Sequence, residues 1–185
     1  SYNNVTVDQL NEATSIRISR RRSKVDPSGS EQDCLGMTPL HIMACSTVQS
    51  TGLYRIIVEK YPENLVTKDR WGALPLLYAV WGNAPNEIVQ FLVESYQSLY
   101  PDYELNWSSM VETLGKANAT TKVIQNLLDV QQDFFPEQFV DWSSVLAVCS
   151  ESTPWNEPEC SEATFRFLVK CSVTKRINAI GLKKL

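Results

Sequence analysis

Four apolar stretches with helical spacing recur along the chain. They read "YRIIVEKY" (Tyr54–Tyr61), "VQFLVESY" (Val89–Tyr96), "IQNLLDVQ" (Ile124–Gln131) and "FRFLVKCS" (Phe165–Ser172), offset by 35, 35 and 41 residues. Ile56, Ile57 and Tyr61 in the first, and Ile88, Phe91, Leu92 and Tyr96 around the second, fit one face of a helix. A second series runs in step with these. "LGMTPLHIMA" at Leu35–Ala44 is followed 36 residues later by "WGALPLLYAV" at Trp71–Val80, matching Gly36 to Gly72, Pro39 to Pro75 and Leu40 to Leu76. "NWSSMV" (Asn106–Val111) and "DWSSVL" (Asp141–Leu146) continue it, so Leu35, Trp71, Trp107 and Trp142 share one register position. A third series, Tyr61-Pro62, Tyr100-Pro101 and Phe135-Pro136, closes the units.

Three series at one period predict repeated units, each a helix, a short loop, a second helix and an extended link. Thr38 before Pro39 is a start signal, because Thr caps orphan amides and proline at the first helical position gives up no needed N–H. Ser109 and Glu112 have capping-box spacing for the third unit's first helix. Gly72 permits a tight turn between units, and the prolines stop the second helices. The expected fold is an all-α solenoid of about four helix pairs (34–69, 70–105, 106–140, 141–172) with almost no strand. Residues 1–33 are expected to form an N-terminal capping helix and a flexible link, and 173–185 a basic C-terminal cap helix. "ESTPWNEPEC" (Glu151–Cys160) reads as a loop insertion.

The period and the segment Gly36-x-Thr38-Pro39-Leu40-His41-x-x-Ala44 resemble the ankyrin repeat. Only the first unit carries the full motif; the second has Leu74 and Leu77 where Thr and His are expected, and the units run two or three residues long. "LPLLYAVWGNAPNEIVQFLVESYQSLYP" and "FRFLVKCSVTKRINAIGLKKL" look like a divergent ankyrin-type family of diatoms. The resemblance implies an interaction protein. It also implies that His41 is structural, bonded to the backbone of the linking turns and supported by Thr38.

Composition leaves that picture standing. Of 185 residues, 43% are apolar and 21% charged, as in soluble globular proteins. The net charge of −4 is unevenly placed: residues 34–171 hold eight Lys/Arg against sixteen Asp/Glu, whereas the last fourteen hold four bases and no acid. An acidic body does not suit a phosphate-backbone binder, so nucleic acid is not the expected partner. The sequence shows neither a transmembrane run nor a signal-peptide pattern. It begins without Met and stops at Lys184-Leu185, which points to a fragment. Five cysteines, an odd number without C-x-x-C spacing, read as free thiols in an intracellular, reducing compartment, with a Cys160–Cys171 bridge left open.

Chemistry-bearing patterns are sparse. His41 and Cys45 are four apart and could share a helix face as a nucleophile pair, but no orienting group or oxyanion donor accompanies them. One histidine with one thiol is half a metal site. Glu94, Asp129, Asp133 and Glu137 read as solvated. No enzyme, no small-molecule substrate, no metal and no cofactor is expected, and the reading is a non-enzymatic scaffold or adaptor for another protein. Binding residues would lie on the first helices and the linker tips: Lys68, Arg70, Trp81, Asp102, Tyr103, Glu104, Glu137 and, in the insertion, Trp155. Trp71, Trp107 and Trp142 are expected to pack one unit on the next, with a hot-spot role as the alternative. The segment "IRISRRRSK" (Arg17, Arg20, Arg21, Arg22, Lys24) is either the solvated face of the cap or an electrostatic patch for nucleic acid or membrane. A permanently assembled subunit of a larger complex is the remaining alternative.

Overall fold

A computed structural model describes residues 29–47, 49–150 and 160–182, with side chains through residue 174. The expected N-terminal helix, the basic residues Arg17, Arg20, Arg21, Arg22 and Lys24, and Trp155 lie outside the described residues. Those described form eight α-helices and one 3-10 turn, with no strand among them. The chain is all-α and divides after Pro101 into two compact units.

The first unit holds α1 (Pro39–Ala44), α2 (Thr51–Lys60), the 3-10 turn Pro62–Leu65, α3 (Pro75–Trp81) and α4 (Asn86–Leu99). Helix α1 packs on α3 and α2 on α4, so like elements of the two copies lie side by side. Leu40, Ala44, Leu76, Leu77 and Ala79 fill the α1–α3 layer, and Tyr54, Ile88, Leu92 and Tyr96 the α2–α4 layer, all at or below 2% exposure. Burying each large side chain this completely contributes about 1.5–3 kcal/mol. Tyr96 donates its hydroxyl to the Leu65 carbonyl at 2.5 Å, tying the end of α4 to the 3-10 turn. The inward face of α2 differs from the expectation: Tyr54 and Val58 are buried one turn apart, and Ile56 stands 59% exposed.

The second unit holds α5 (Trp107–Lys116), α6 (Thr121–Phe134), α7 (Trp142–Ser150) and α8 (Glu162–Leu182). Helix α5 packs on both α6 and α7, and α7 on α8. Its core is Trp107, Val111, Leu114, Ile124, Leu127, Val145 and Leu168. Helix α5 begins earlier than the Ser109/Glu112 spacing implied. Asn106 is the cap, its Oδ1 accepting the Ser109 N–H at 2.9 Å, while Glu112 accepts the Ser144 hydroxyl at 2.8 Å from α7. At the other end the separate helix expected from residue 173 is absent: α8 runs unbroken from Glu162 to Leu182.

Two local devices recur with the repeat. Tyr61, Tyr100 and Phe135 all leave the helix with φ between −139° and −135° and ψ between 53° and 66°. Each precedes a proline, whose ring excludes the α conformation from the residue before it. Asn83 and Asn118, 35 apart, both adopt left-handed φ (54° and 52°) just after a first helix. There the N–H of Ala84 reaches the Ala79 carbonyl and that of Ala119 the Leu114 carbonyl, both at 2.9 Å, while Asn83 and Asn118 bond Val80 and Gly115 at 3.1 Å. These are Schellman endings, and Asn is the non-glycine residue that tolerates them best.

Candidate functional site

Residues 33–37 and 69–73 fold into the same turn. Asp33 Oδ1 accepts the N–H groups of Leu35 (2.8 Å) and Met37 (2.9 Å), and Asp69 Oδ1 those of Trp71 (2.9 Å) and Ala73 (2.8 Å). The backbone closes identically: Asp33 N–H to Met37 O and Asp69 N–H to Ala73 O, each 3.0 Å. Gly36 and Gly72 hold φ near +75° and +79°, where a side chain would strain. The turns are linked by the Arg70 N–H donating to the Leu35 carbonyl at 3.1 Å and by Gln32 Nε2 donating to the Lys68 carbonyl at 2.8 Å. Gly36 is required a second time here, since a Cβ on it would lie 2.7 Å from the Arg70 nitrogen. Neither aspartate stood out in the sequence, although they are 36 apart and three residues before the matched glycines.

A buried polar chain backs the second turn. Asp69 Oδ2 accepts the Tyr78 hydroxyl at 2.6 Å, and the Tyr78 ring meets the His41 ring edge-on with centroids 5.8 Å apart. His41 is fully buried. Its Nδ1 accepts the Thr38 backbone N–H at 3.1 Å and lies 2.9 Å from Thr38 Oγ1. An amide can only donate, so Nδ1 carries no proton, and Nε2–H donates to the Ala73 carbonyl at 3.1 Å. The ring is a neutral strut joining the start of α1 to the turn before α3. Burial holds its pKa below the ordinary histidine value, against the opposing pull of the Ala73 carbonyl, Asp69 and Asp33.

This arrangement leaves His41 no ring nitrogen for a base or a metal. The side chain of Cys45 reaches the surface, but its packed surroundings and Asp69 push the thiol up to about 11, the opposite of an activated nucleophile. Among the described residues no three His, Cys, Asp or Glu side chains are arranged to hold a metal ion. No described helix is long and apolar enough to cross a membrane.

What the turn holds outward is the candidate surface. Lys68 and Arg70 are exposed, and Trp71 is 55% exposed. The Arg70 guanidinium lies 5.0 Å from the Trp71 ring centre, in cation–π range. Trp71 thus departs from the expectation that it packs like Trp107 (1% exposed) and Trp142 (8%). The reason is local. In the third and fourth sequence repeats the helix begins at the tryptophan itself, whereas in the second repeat it begins at Pro75, leaving Trp71 in the turn. Trp81 is half-buried at the end of α3. In the second unit Asp102, Glu104 and Glu137 are exposed, Tyr103 is half-buried, and Phe139, which sequence reasoning passed over, is 83% exposed. Glu94, Asp129 and Asp133 are exposed. Pro75 is buried and Pro39 half-buried, each opening its helix.

No family model and no curated protein matches the chain. Among solved structures it is similar to one titled as the Bd0816 predatory endopeptidase from Bdellovibrio bacteriovorus in complex with immunity protein Bd3460, at 20% identity and a TM-score of 0.41, covering 87% of this chain and 79% of that chain. With no matching family model, the ankyrin assignment drawn from Thr38-Pro39-Leu40-His41 is withdrawn, together with its diatom relatives. The full motif occurs once, and the feature that recurs is the aspartate-anchored turn.

Proposed function

We propose that this chain is a non-enzymatic protein-interaction module built from tandem helix pairs, two in each unit, that engages its partner through the tip formed by Lys68, Arg70 and Trp71. The carrying observation is a large aromatic left in solvent on a backbone that is otherwise held rigid. Asp69 fixes the Trp71 amide, Gln32 and Leu35 fix the neighbouring backbone, and Arg70 stacks on the indole. Aromatic and arginine anchors that need no ordering on binding are the residues that dominate interfaces. Two cations flanking an indole favour a partner presenting acidic and apolar side chains together.

The test is capture from the native source with the intact chain, with Trp71→Ala and with Arg70→Glu, and again with Arg20, Arg21 and Arg22 changed to Glu. Loss of at least about 2 kcal/mol, roughly thirtyfold in affinity, in both point variants supports the tip as a hot spot. Full retention in both, with loss on reversing those three charges, moves the contact to the basic segment Arg17–Lys24. The permanent-subunit reading draws on Phe139 and Ile56, large apolar side chains left open to solvent. It requires the purified chain to self-associate without its complex, which sedimentation measures directly.

A further inference from the structure

Two of the five thiols converge. Cys149 closes α7, and Cys160 stands just before α8. Both approach the same face of Gly115 on α5: a Cβ there would lie 2.7 Å from Cys149 Sγ and 3.9 Å from Cys160 Sγ. The two thiols lie close enough for each to perturb the other, and the Cys160 S–H reaches the Ser161 carbonyl at 3.8 Å. A glycine within a helix costs about 1 kcal/mol relative to alanine. Here its bare Cα leaves the room that the Cys149 sulfur occupies. The thiols are unequally placed, with Cys149 only 8% exposed and Cys160 half-exposed. The sequence left a Cys160–Cys171 bridge open, but the thiol that faces Cys160 across Gly115 is Cys149.

We infer that Cys149 and Cys160 are a thiol–disulfide exchange site, closing reversibly into a disulfide on reaction with a low-molecular-weight disulfide such as glutathione disulfide. The accessible Cys160 sulfur attacks as thiolate, its proton going to solvent. The S–S bond of the small disulfide breaks, one small thiolate leaves and a mixed disulfide remains on Cys160. Cys149, deprotonated in turn, attacks the Cys160 sulfur and expels the second small thiolate. Two protein thiols are oxidised, one small disulfide is reduced to two thiols, and each leaving thiolate takes up a proton. The order of attack follows from the environments. Burial pushes Cys149 up to about 12 and raises Cys160 as well, but the neighbouring Cys149 S–H stabilises the Cys160 thiolate, so Cys160 ionises first. The bridge would link the end of α7 to the start of α8.

The experiment incubates the fully reduced chain, in native buffer, with graded ratios of oxidised to reduced glutathione, followed by acid quench, alkylation and peptide mapping. The expected product is a chain lighter by two hydrogens with Cys149 linked to Cys160, at ratios that leave Cys34 and Cys45 alkylatable. Cys149→Ser, checked for folding by circular dichroism, should accumulate a stable glutathione adduct on Cys160. Cys171→Ser should form the bridge as the unaltered chain does. A persistent glutathione adduct on Cys160 of the unaltered chain, a Cys160–Cys171 linkage, or bridging only in denaturant would each overturn the assignment.

Discussion

The two units hold equivalent positions with different chemistry. In the first, the link before α3 is held by a buried polar chain running from Asp69 through Tyr78 and His41 to Thr38. In the second, the link before α7 is held by an aromatic anchor. Trp107 packs against Phe135 with ring centres 5.4 Å apart and donates its indole N–H to Gln138 at 2.7 Å, while Gln131 Nε2 donates to the Phe135 and Gln138 carbonyls. The polar solution fixes the backbone and frees its tryptophan for solvent; the apolar solution consumes the tryptophan as core. A repeat period therefore constrains where a link must be secured, not by which forces.

The contrast can be broken most forcefully at its apolar end. Trp107→Ala should cost about 3–5 kcal/mol, because it empties a fully enclosed site and orphans Gln138, and urea unfolding followed by circular dichroism reads the loss. Next is Asp69→Ala, expected to cost about 3 kcal/mol, since it strands two backbone N–H groups and the Tyr78 hydroxyl. Tyr78→Phe, which keeps the first two bonds, should lose only about 1 kcal/mol in the same assay.

Acid separates the units by a different route. His41 is neutral when folded, with its pKa lowered, so the unfolded chain takes up a proton that the folded chain refuses. Its contribution is complete above about pH 6.5 and drains away as the pH falls from there toward the depressed folded value. Stability measured from pH 7 down to 5.5 should decline in the unaltered chain and flatten in His41→Gln. The smallest effect belongs to Trp71→Ala, which should shift stability by no more than about 0.5 kcal/mol. A loss matching that of Trp107→Ala would mean the two tryptophans are equivalent after all and would remove the tip from consideration.

Periodicity located the helix pairs because apolar spacing and proline stops act within a few residues. The Tyr-Pro and Phe-Pro endings needed nothing beyond the peptide bond to be legible. Hydrogen-bonded turns were less so. Asp33 and Asp69 are unremarkable acids until the chain closes and presents them with two amides each, and Asn83 and Asn118 show their left-handed role only at a finished helix end. The register that aligned Trp71 with Trp107 and Trp142 was correct as counting. It failed as environment, because Trp71 stands four positions before the first residue of its helix, whereas the other two are the first residues of theirs. For His41, the partner Ala73 lies 32 residues away and the tautomer depends on a bond visible only in three dimensions.

Gly36 makes the outward tip hostage to a position one repeat upstream of it. Any side chain there would wedge the first turn off the Arg70 amide and tilt the indole beyond it. A variant at residue 36 would then score in a screen of the proposed contact as though it were a contact mutant, with Arg70 and Trp71 both intact. Maps of this surface drawn from loss-of-binding data alone would extend, misleadingly, one whole repeat upstream.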